Sequence, residues 1–287
     1  MHPQIERFYK PTTLDEAVAI LRDPAQKAMP VAGATEVGLR VRRSVRALVD
    51  LSALGLDRVW TDDDGLHIGA MVRAARVYRD PTIRAHTGAA LSESALAIAS
   101  EPIRNLTTLG GNIIHLTSWS DMPPALLALD ATYRVQGTSE RTYSSAELFG
   151  GQPRRLLEDG DLLTEVIIPP LPSSSGSAFI KYAKTAVDFA LVNAAAWVHL
   201  DGAQVRAVRL TVGAIHTPPI RLTEAEDMVC SQPWSDALLT SVAESVAAEV
   251  SPRRDARASD GYLRHCAGVV VRRCLVTAME RAKGSVA

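Results

Sequence analysis

The chain has 287 residues, of which 47% are hydrophobic and 22% are charged, so it can bury a sizeable core and divide into two or three domains. Its 31 Lys and Arg residues against 32 Asp and Glu residues give a net charge of -1, which excludes an electrostatic footprint for nucleic acid or an anionic membrane. The three cysteines, Cys230, Cys266 and Cys274, are scattered, which excludes a disulfide framework and an iron–sulfur cluster within this chain.

The N-terminal segment from Met1 to Glu6 lacks the apolar stretch of a signal peptide, and no apolar run approaches the length of a membrane span. Together with the unpaired cysteines, this indicates a cytoplasmic protein without a membrane span.

Residues 1–56 are predicted to form a first subdomain that alternates helices and strands. Its elements are a helix that begins at the capping box Thr13 to Glu16 and runs to about Arg22, a strand from Ala28 to Val31, helical character from Thr35 to Val45, and a strand from Ala47 to Leu51. A glycine loop between a strand and a helix can present free N–H groups to a phosphate. The chain has neither the Lys-Ser/Thr of a P-loop nor a G-x-G-x-x-G fingerprint, which argues against Walker-type hydrolysis and a Rossmann fold.

Residues 57–171 are predicted to form a second subdomain around a central glycine pair. The predicted elements are a turn at Asp62 to Gly65, preferred there to a calcium loop, a strand at 66–70, helices at 73–80, 81–100 and from Asp121 to about Leu129, a hairpin at 133–143, a short helix at 146–149 and a strand from Leu162 to Ile168. Asp121 is interpreted either as a plain helix cap or as a ligand contact, and both roles are compatible.

The glycine pair lies in the stretch from Thr107 to Asn112, where it is placed in a loop after the preceding helix. Paired glycines let the backbone approach a ligand and turn its N–H groups inward as an anion nest, although most such pairs are simple turns. The segment from Ala32 to Glu36 is its candidate partner loop. Two loops of this kind predict a pyrophosphate, and so a dinucleotide cofactor outside the Rossmann class.

The remainder of the chain has a different pattern of predicted elements. Residues 172–177 are predicted to be a linker, and residues 178–287 are predicted to form a C-terminal α+β domain. This domain comprises three antiparallel strands, at 178–184, 191–200 and 204–215, and helices at about 222–229, 234–250 and 260–283. Asp201-Gly202 between the last two strands is a hairpin signal.

No common catalytic constellation is present, so no catalytic residue and no metal ligand is predicted. The seven histidines are dispersed, and the sequence contains neither H-E-x-x-H nor a G-x-S-x-G elbow. A redox function would therefore depend on a bound cofactor.

Three motifs together resemble the FAD-binding subunits of molybdenum hydroxylases, the medium subunits of carbon monoxide dehydrogenase and of bacterial xanthine dehydrogenase. These motifs are Val31 to Gly38, Ile103-Arg104-Asn105 leading into Thr108 to Asn112, and Asp121 to Leu126. The resemblance extends over essentially the whole chain, from Phe8-Tyr9-Lys10-Pro11 to Val271-Arg272-Arg273. The two glycine loops in this order are specific, whereas either loop alone is not.

The resemblance implies an α+β flavoprotein with the two-subdomain FAD-binding fold of the vanillyl-alcohol-oxidase (PCMH) type, followed by a carbon monoxide dehydrogenase flavoprotein-like domain with an antiparallel sheet and a helical bundle. It also implies FAD contacts, which fall by position on Ala32, Gly33, Ala34, Thr35, Glu36, Thr108, Leu109, Gly110, Gly111, Asn112, His115, Asp121, Leu163, Lys181 and Phe189. The two loops would hold the pyrophosphate, with the Thr108 hydroxyl assisting. His115 and Asp121 match ribityl or adenosine contacts, whereas Leu163, Lys181 and Phe189 match residues near the flavin ring.

The chain departs from the family pattern at three places. Ala34 occupies the position of the second glycine of Ala-Gly-Gly, and its methyl group is tolerated only if the residue does not require positive φ. His115 stands where Asn or Thr is usual, and Ser118-Trp119 replaces a Ser-Pro-like stretch. Trp119 is interpreted as a packing residue, with stacking on the flavin as the alternative.

The resemblance therefore implies a cytoplasmic electron-transfer subunit of a molybdenum hydroxylase. A large subunit with molybdopterin would oxidise the substrate, a small subunit with [2Fe-2S] clusters would pass electrons to the FAD, and an external acceptor would remove them. The assembly would be a heterotrimer or a dimer of heterotrimers. The alternatives are a self-contained FAD-dependent oxidase or dehydrogenase and a flavin-free scaffold subunit.

Overall fold

The computed structural model describes residues 5–36, 41, 43–252 and 255–284. The N-terminal part is a three-stranded parallel sheet with strand order β1-β3-β2, covered by one helix. Its elements are β1 (Arg7–Tyr9), α1 (Leu14–Arg22), β2 (Ala28–Val31) and β3 (Ala47–Asp50). The predicted helix and both predicted strands are confirmed. Residues 37–40 and 42 of the helix predicted at 35–45 lie outside the described residues, and the described ones, 35, 36, 41 and 43–45, are not helical, which contradicts that prediction there.

A five-stranded antiparallel sheet with strand order β4-β5-β8-β6-β7 forms the second part. The strands are β4 (Val59–Asp62), β5 (Gly65–Gly69), β6 (Thr132–Gln136), β7 (Glu140–Ser144) and β8 (Leu162–Ile168). The helices are α2 (Ala74–Arg79), α3 (Pro81–Thr87), α4 (Ala90–Leu96), α5 (Glu101–Arg104), α6 (Leu109–Ile114), α7 (Met122–Ala128), α8 (Ser145–Gly150) and α9 (Pro153–Leu156).

Two predictions for this part are wrong. The helix predicted at 81–100 is broken into α3 and α4, because Gly88 and Ala89 adopt positive φ values of 62° and 88°. The glycine pair was predicted to lie in a loop, but Gly110 and Gly111 lie in the first turn of α6. That turn forms because the Thr108 side chain caps the helix by accepting a hydrogen bond from the Gly111 N–H.

The C-terminal part is a four-stranded antiparallel sheet with strand order β12-β11-β10-β9, backed by three helices. Its elements are β9 (Ser175–Tyr182), β10 (Val192–Asp201), β11 (Gln204–Gly213), β12 (Ile220–Arg221), α10 (Thr223–Ser231), α11 (Asp236–Glu249) and α12 (Asp260–Gly284). The predicted hairpin at Asp201-Gly202 is confirmed, with Gly202 at a φ of 59°. β9 begins at Ser175, so half of the predicted linker belongs to this strand.

The open face of the C-terminal sheet packs on the second part. The Ala90 N–H donates to the Ser177 hydroxyl, and Arg281 of α12 forms an ion pair with Glu93 of α4. The Thr211 hydroxyl of β11 donates to the Pro124 carbonyl of α7. These contacts hold α4 and α7 against β9, β10 and β11. Among the described residues, no helix combines the length and the apolar character that crossing a bilayer requires.

Candidate functional site

The loop from Ala32 to Glu36 and the segment from Leu106 to Asn112, called here the two glycine segments, meet at Gly33. A Cβ atom on Gly33 would lie 1.8 Å from the Leu106 carbonyl oxygen, so only glycine allows this approach between the loop after β2 and the segment before α6. The next residue, Ala34, has a φ of 58°, in the left-handed region. The alanine was expected to be tolerated only without a positive φ, so this expectation is wrong. Ala34 is therefore strained, and it gives the loop the turn conformation of an anion nest.

The backbone of this first loop has unused donors. In the part of the chain that the structure describes, none of the N–H groups of residues 32 to 35 donates a hydrogen bond to another residue. Ala34 is exposed, and Ala32, Gly33 and Thr35 are partly exposed, so an anion can reach these groups. Residues 32 to 35 therefore offer backbone donors that no other described residue uses.

The second glycine segment is organised differently, because its N–H groups already have acceptors. Leu109 and Gly110 donate to the carbonyl groups of Val72 and Ala70, both at 2.8 Å. Gly111 donates to the Thr108 hydroxyl oxygen at 3.1 Å, and Asn112 donates to the Thr108 carbonyl at 3.0 Å. The backbone from Leu109 to Asn112 is therefore saturated within the chain. The hydroxyl proton of Thr108 stays available, because that hydroxyl acts as the acceptor in its contact with Gly111.

Side chains from both segments converge beside the first loop. The Glu36 carboxylate lies 3.0 Å from Nε2 of His115, at the end of α6. One turn earlier on α6, the side-chain oxygen of Asn112 is buried without a hydrogen-bond partner among the described residues. Buried polar atoms normally have partners, so this oxygen is an acceptor that a polar ligand could satisfy.

A buried ion pair lies beyond α6. Asp121, 3% exposed at the N-terminus of α7, accepts a hydrogen bond from Lys181 at 3.0 Å and one from Asn193 at 2.9 Å. Lys181 also donates to the Ala97 carbonyl at 2.9 Å. Burial raises the pKa of the Asp121 carboxyl, and the Lys181 ammonium and the Asn193 amide oppose this rise. The carboxylate therefore binds side chains and does not cap α7.

An aromatic pair stands at the edge of the same region. The rings of Trp119 and Phe189 lie 4.7 Å apart between centroids, and Phe189 remains 58% exposed. The Arg257 guanidinium donates to the Phe189 carbonyl at 2.9 Å and to the Ala190 carbonyl at 3.1 Å, which anchors the turn between β9 and β10. Trp119 thus packs against another aromatic ring of the candidate site.

The structure brings most of the predicted site residues together in three groups. These are the two glycine segments with Glu36 and His115, the Asp121–Lys181 pair, and Phe189 with Trp119. Leu163 is the exception, because it is 6% exposed within the core of the five-stranded sheet.

Sequence reasoning missed Asn193 and Leu106. Asn193 is a polar residue inside the apolar run of β10, and this anomaly was the available signal. Leu106 contributes a carbonyl oxygen, which no side-chain pattern reports. Within the described ranges, no group of His, Cys, Asp and Glu side chains is arranged to hold a metal ion. The arrangement is suited to binding an anionic ligand with a polar chain.

Comparison with known proteins supplies two family matches. Residues 3–171 match the FAD binding domain in molybdopterin dehydrogenase, and residues 177–278 match the C-terminal domain of CO dehydrogenase flavoproteins. The 6-hydroxypseudooxynicotine dehydrogenase complex subunit alpha of Paenarthrobacter nicotinovorans is 30% identical, over 99% of this chain and 97% of its own.

Two further relatives agree with these matches. The xanthine dehydrogenase FAD-binding subunit of Escherichia coli O157:H7 is 29% identical, over 96% of this chain and 97% of its own. A solved chain of the carbon monoxide dehydrogenase from Hydrogenophaga pseudoflava superposes with a TM-score of 0.91 at 25% identity, over 98% of this chain and 99% of that chain.

Proposed function

The chain belongs to the FAD-binding subunits of molybdenum hydroxylases, and we propose that it holds FAD between its two glycine segments and transfers electrons in such a complex. It is thus an oxidoreductase subunit with the two-part FAD-binding fold and the flavoprotein C-terminal domain that its sequence resembles. The contact of Gly33 with the Leu106 carbonyl supports this binding position, because it joins the two segments into one cradle.

The residues present fit the diphosphate part of FAD. No other described residue accepts a hydrogen bond from the N–H groups of residues 32 to 35, and Ala34 supplies the left-handed turn of a nest. The Thr108 hydroxyl has a proton to donate to the same ligand. Asn112 has a buried oxygen that would accept from a ligand hydroxyl. The N–H groups from Leu109 to Asn112 contribute by shaping the cradle, because their bonds remain within the chain.

The residues beyond α6 fit the ribityl chain and the ring. Each oxygen of Asp121 accepts one hydrogen bond from the chain and keeps capacity for a ligand hydroxyl. Lys181, whose charge is paired with Asp121, would lie near the ring, and Phe189 would offer an exposed aromatic face. Leu163 lies in the core of the five-stranded sheet and would contribute to the site only by packing. Bound FAD supplies the capacity to accept electrons singly and to release them singly or in pairs.

The partner chains follow from the family. Its members are subunits of multi-subunit complexes, and the relative from Paenarthrobacter nicotinovorans is itself described as a subunit of a complex. We propose a large subunit with molybdopterin and a small subunit with [2Fe-2S] clusters, assembled as a heterotrimer or a dimer of heterotrimers. The free cysteines of this chain, which form no disulfide, support a reducing cytoplasm as its location.

The test is the flavin content of the purified full chain. We expect a yellow protein with flavin absorbance that releases FAD on denaturation, or a colourless one that takes up added FAD with quenching of flavin fluorescence. Metal analysis and identification of the companion chains in the native complex test the partners. A chain that neither contains nor binds FAD would refute the function, and co-purification of the partners without flavin would leave the scaffold alternative.

A further inference from the structure

One row of residues crosses the C-terminal sheet beneath Asp121. In the register of β9, β10 and β11, Lys181 lies opposite Asn193, and Asn193 lies opposite Gly213. Lys181 binds one oxygen of the Asp121 carboxylate, and Asn193 binds the other. Two neighbouring strands of the C-terminal domain therefore hold both oxygens of a carboxylate that belongs to the FAD-binding part of the chain.

The environment of Asn193 is built around this contact. The residue is fully buried, and its side-chain N–H₂ group donates both to Asp121 and to the Ser120 carbonyl, at 2.9 and 3.2 Å. A Cβ on Gly213 would lie 2.5 Å from the side-chain oxygen of Asn193 and 2.8 Å from Pro124 Cγ. Glycine at position 213 therefore provides the space in which the amide and the start of α7 fit together.

The Asn193 amide lowers the stability of the fold, and core packing alone does not explain its presence. Its side-chain oxygen is buried without a hydrogen-bond partner among the described residues. Burial of an unpaired polar atom destabilises a protein, so an apolar residue at position 193 would suit the core better. What the amide does provide is two donors for the segment from Ser120 to Asp121.

We propose that Asn193 is a positioning residue for FAD binding, which acts by holding the Asp121 carboxylate in place for the cofactor. This inference rests on the proposed function. With one oxygen held by Asn193 and the other by Lys181, the carboxylate cannot rotate, and its remaining acceptor sites point in a constant direction. The C-terminal domain thereby completes the site that the two glycine segments begin.

The test compares two variants at position 193 with a matched control in the full chain. Asn193→Leu keeps a similar shape and removes both donors. Thr211→Val is the control, because Thr211 is equally buried and also binds α7, at the Pro124 carbonyl, without touching Asp121. Each protein is stripped of flavin and titrated with FAD. We expect Asn193→Leu to weaken binding about tenfold or more, and Thr211→Val to stay within about twofold of wild type.

Asn193→Asp makes FAD affinity depend on pH in a way that a purely structural role for residue 193 would not. A protonated carboxyl at position 193 can donate to Asp121, whereas an ionised one repels it. We expect this variant to bind FAD with near wild-type affinity at the acidic end of the stable pH range and more weakly as the pH rises, relative to wild type. Circular dichroism confirms that each variant is folded.

Three results would overturn the inference. They are wild-type FAD affinity in Asn193→Leu, equal losses in Asn193→Leu and Thr211→Val, and a pH profile of Asn193→Asp that matches that of wild type. If the wild-type chain itself fails to bind FAD, the proposed function is refuted before any variant is compared.

Discussion

Replacement of Gly33 by Ala tests the contact that joins the two glycine segments. Gly33 has no positive φ, so its backbone accepts alanine, and the new Cβ is the whole perturbation. That Cβ would lie 1.8 Å from the Leu106 oxygen and 2.7 Å from its carbonyl carbon. Ordinary contact begins at 3.4 Å, so the segments must separate by about 1.6 Å.

The expected loss of affinity follows from this displacement. Forcing one additional carbon into a packed contact costs about 1–3 kcal/mol. If the whole cost falls on the FAD-bound form, where both segments must close on the ligand, the dissociation constant rises about 5-fold to about 140-fold. The assay is titration of the flavin-free protein with FAD, followed by quenching of flavin fluorescence, with Tm measured in parallel.

A matched glycine controls for the added methyl group. Gly150, at the end of α8, has no atom within 4 Å of a built Cβ and no positive φ. We expect Gly150→Ala to bind FAD as wild type does. Unchanged FAD affinity in Gly33→Ala would refute the reasoning that this contact forms the cradle, as would an equal loss in the control.

Three further predictions concern neighbouring features. Ala34→Gly should stabilise the FAD-bound protein by about 0.5–1 kcal/mol, because it relieves the left-handed strain while increasing chain entropy; an unchanged Tm would contradict a positive φ in solution. Gly111→Val should abolish FAD binding, because a Cβ at 111 would lie 2.8 Å from the Thr108 hydroxyl. Hydrogen exchange should show that the C-terminal domain stays folded, and full FAD content would show that the segment is misassigned. The backbone N–H of Ser144 lowers the pKa of the Glu147 carboxyl below its ordinary 4.5, so its stabilising effect is present above that value and is lost as the pH falls through the lowered pKa. Glu147→Gln should therefore unfold in less urea than wild type at pH 7, and the difference should vanish in acid.

The sequence predicted a large part of the architecture because local patterns carry it. The capped helix after Thr13, the strand from Leu162 to Ile168 and the hairpin at Asp201-Gly202 each depend on neighbours in the chain. The break at Gly88 was missed although its signal is local, because a glycine in the left-handed conformation ends α3.

The candidate site was predicted as a set of residues and not as an arrangement. The pairing of the segments at Ala32 to Glu36 and Thr108 to Asn112 was read from their order. The sequence did not predict which segment has its N–H groups bonded within the chain, because this depends on where each N–H finds an acceptor. Gly110 donates to Ala70, 40 positions earlier in the chain, and no periodicity encodes such a bond.

By itself, the sequence determined the order of the elements and the two glycine segments, since hydrophobic spacing and turn residues act over a few positions, and its motifs carried the resemblance to a flavoprotein family. Only the tertiary structure decided that Ala34 is left-handed, that Gly33 touches Leu106 and that Asn193 holds Asp121. These facts arise where distant segments pack together, because burial requires each polar atom to find a partner and each close approach to find space.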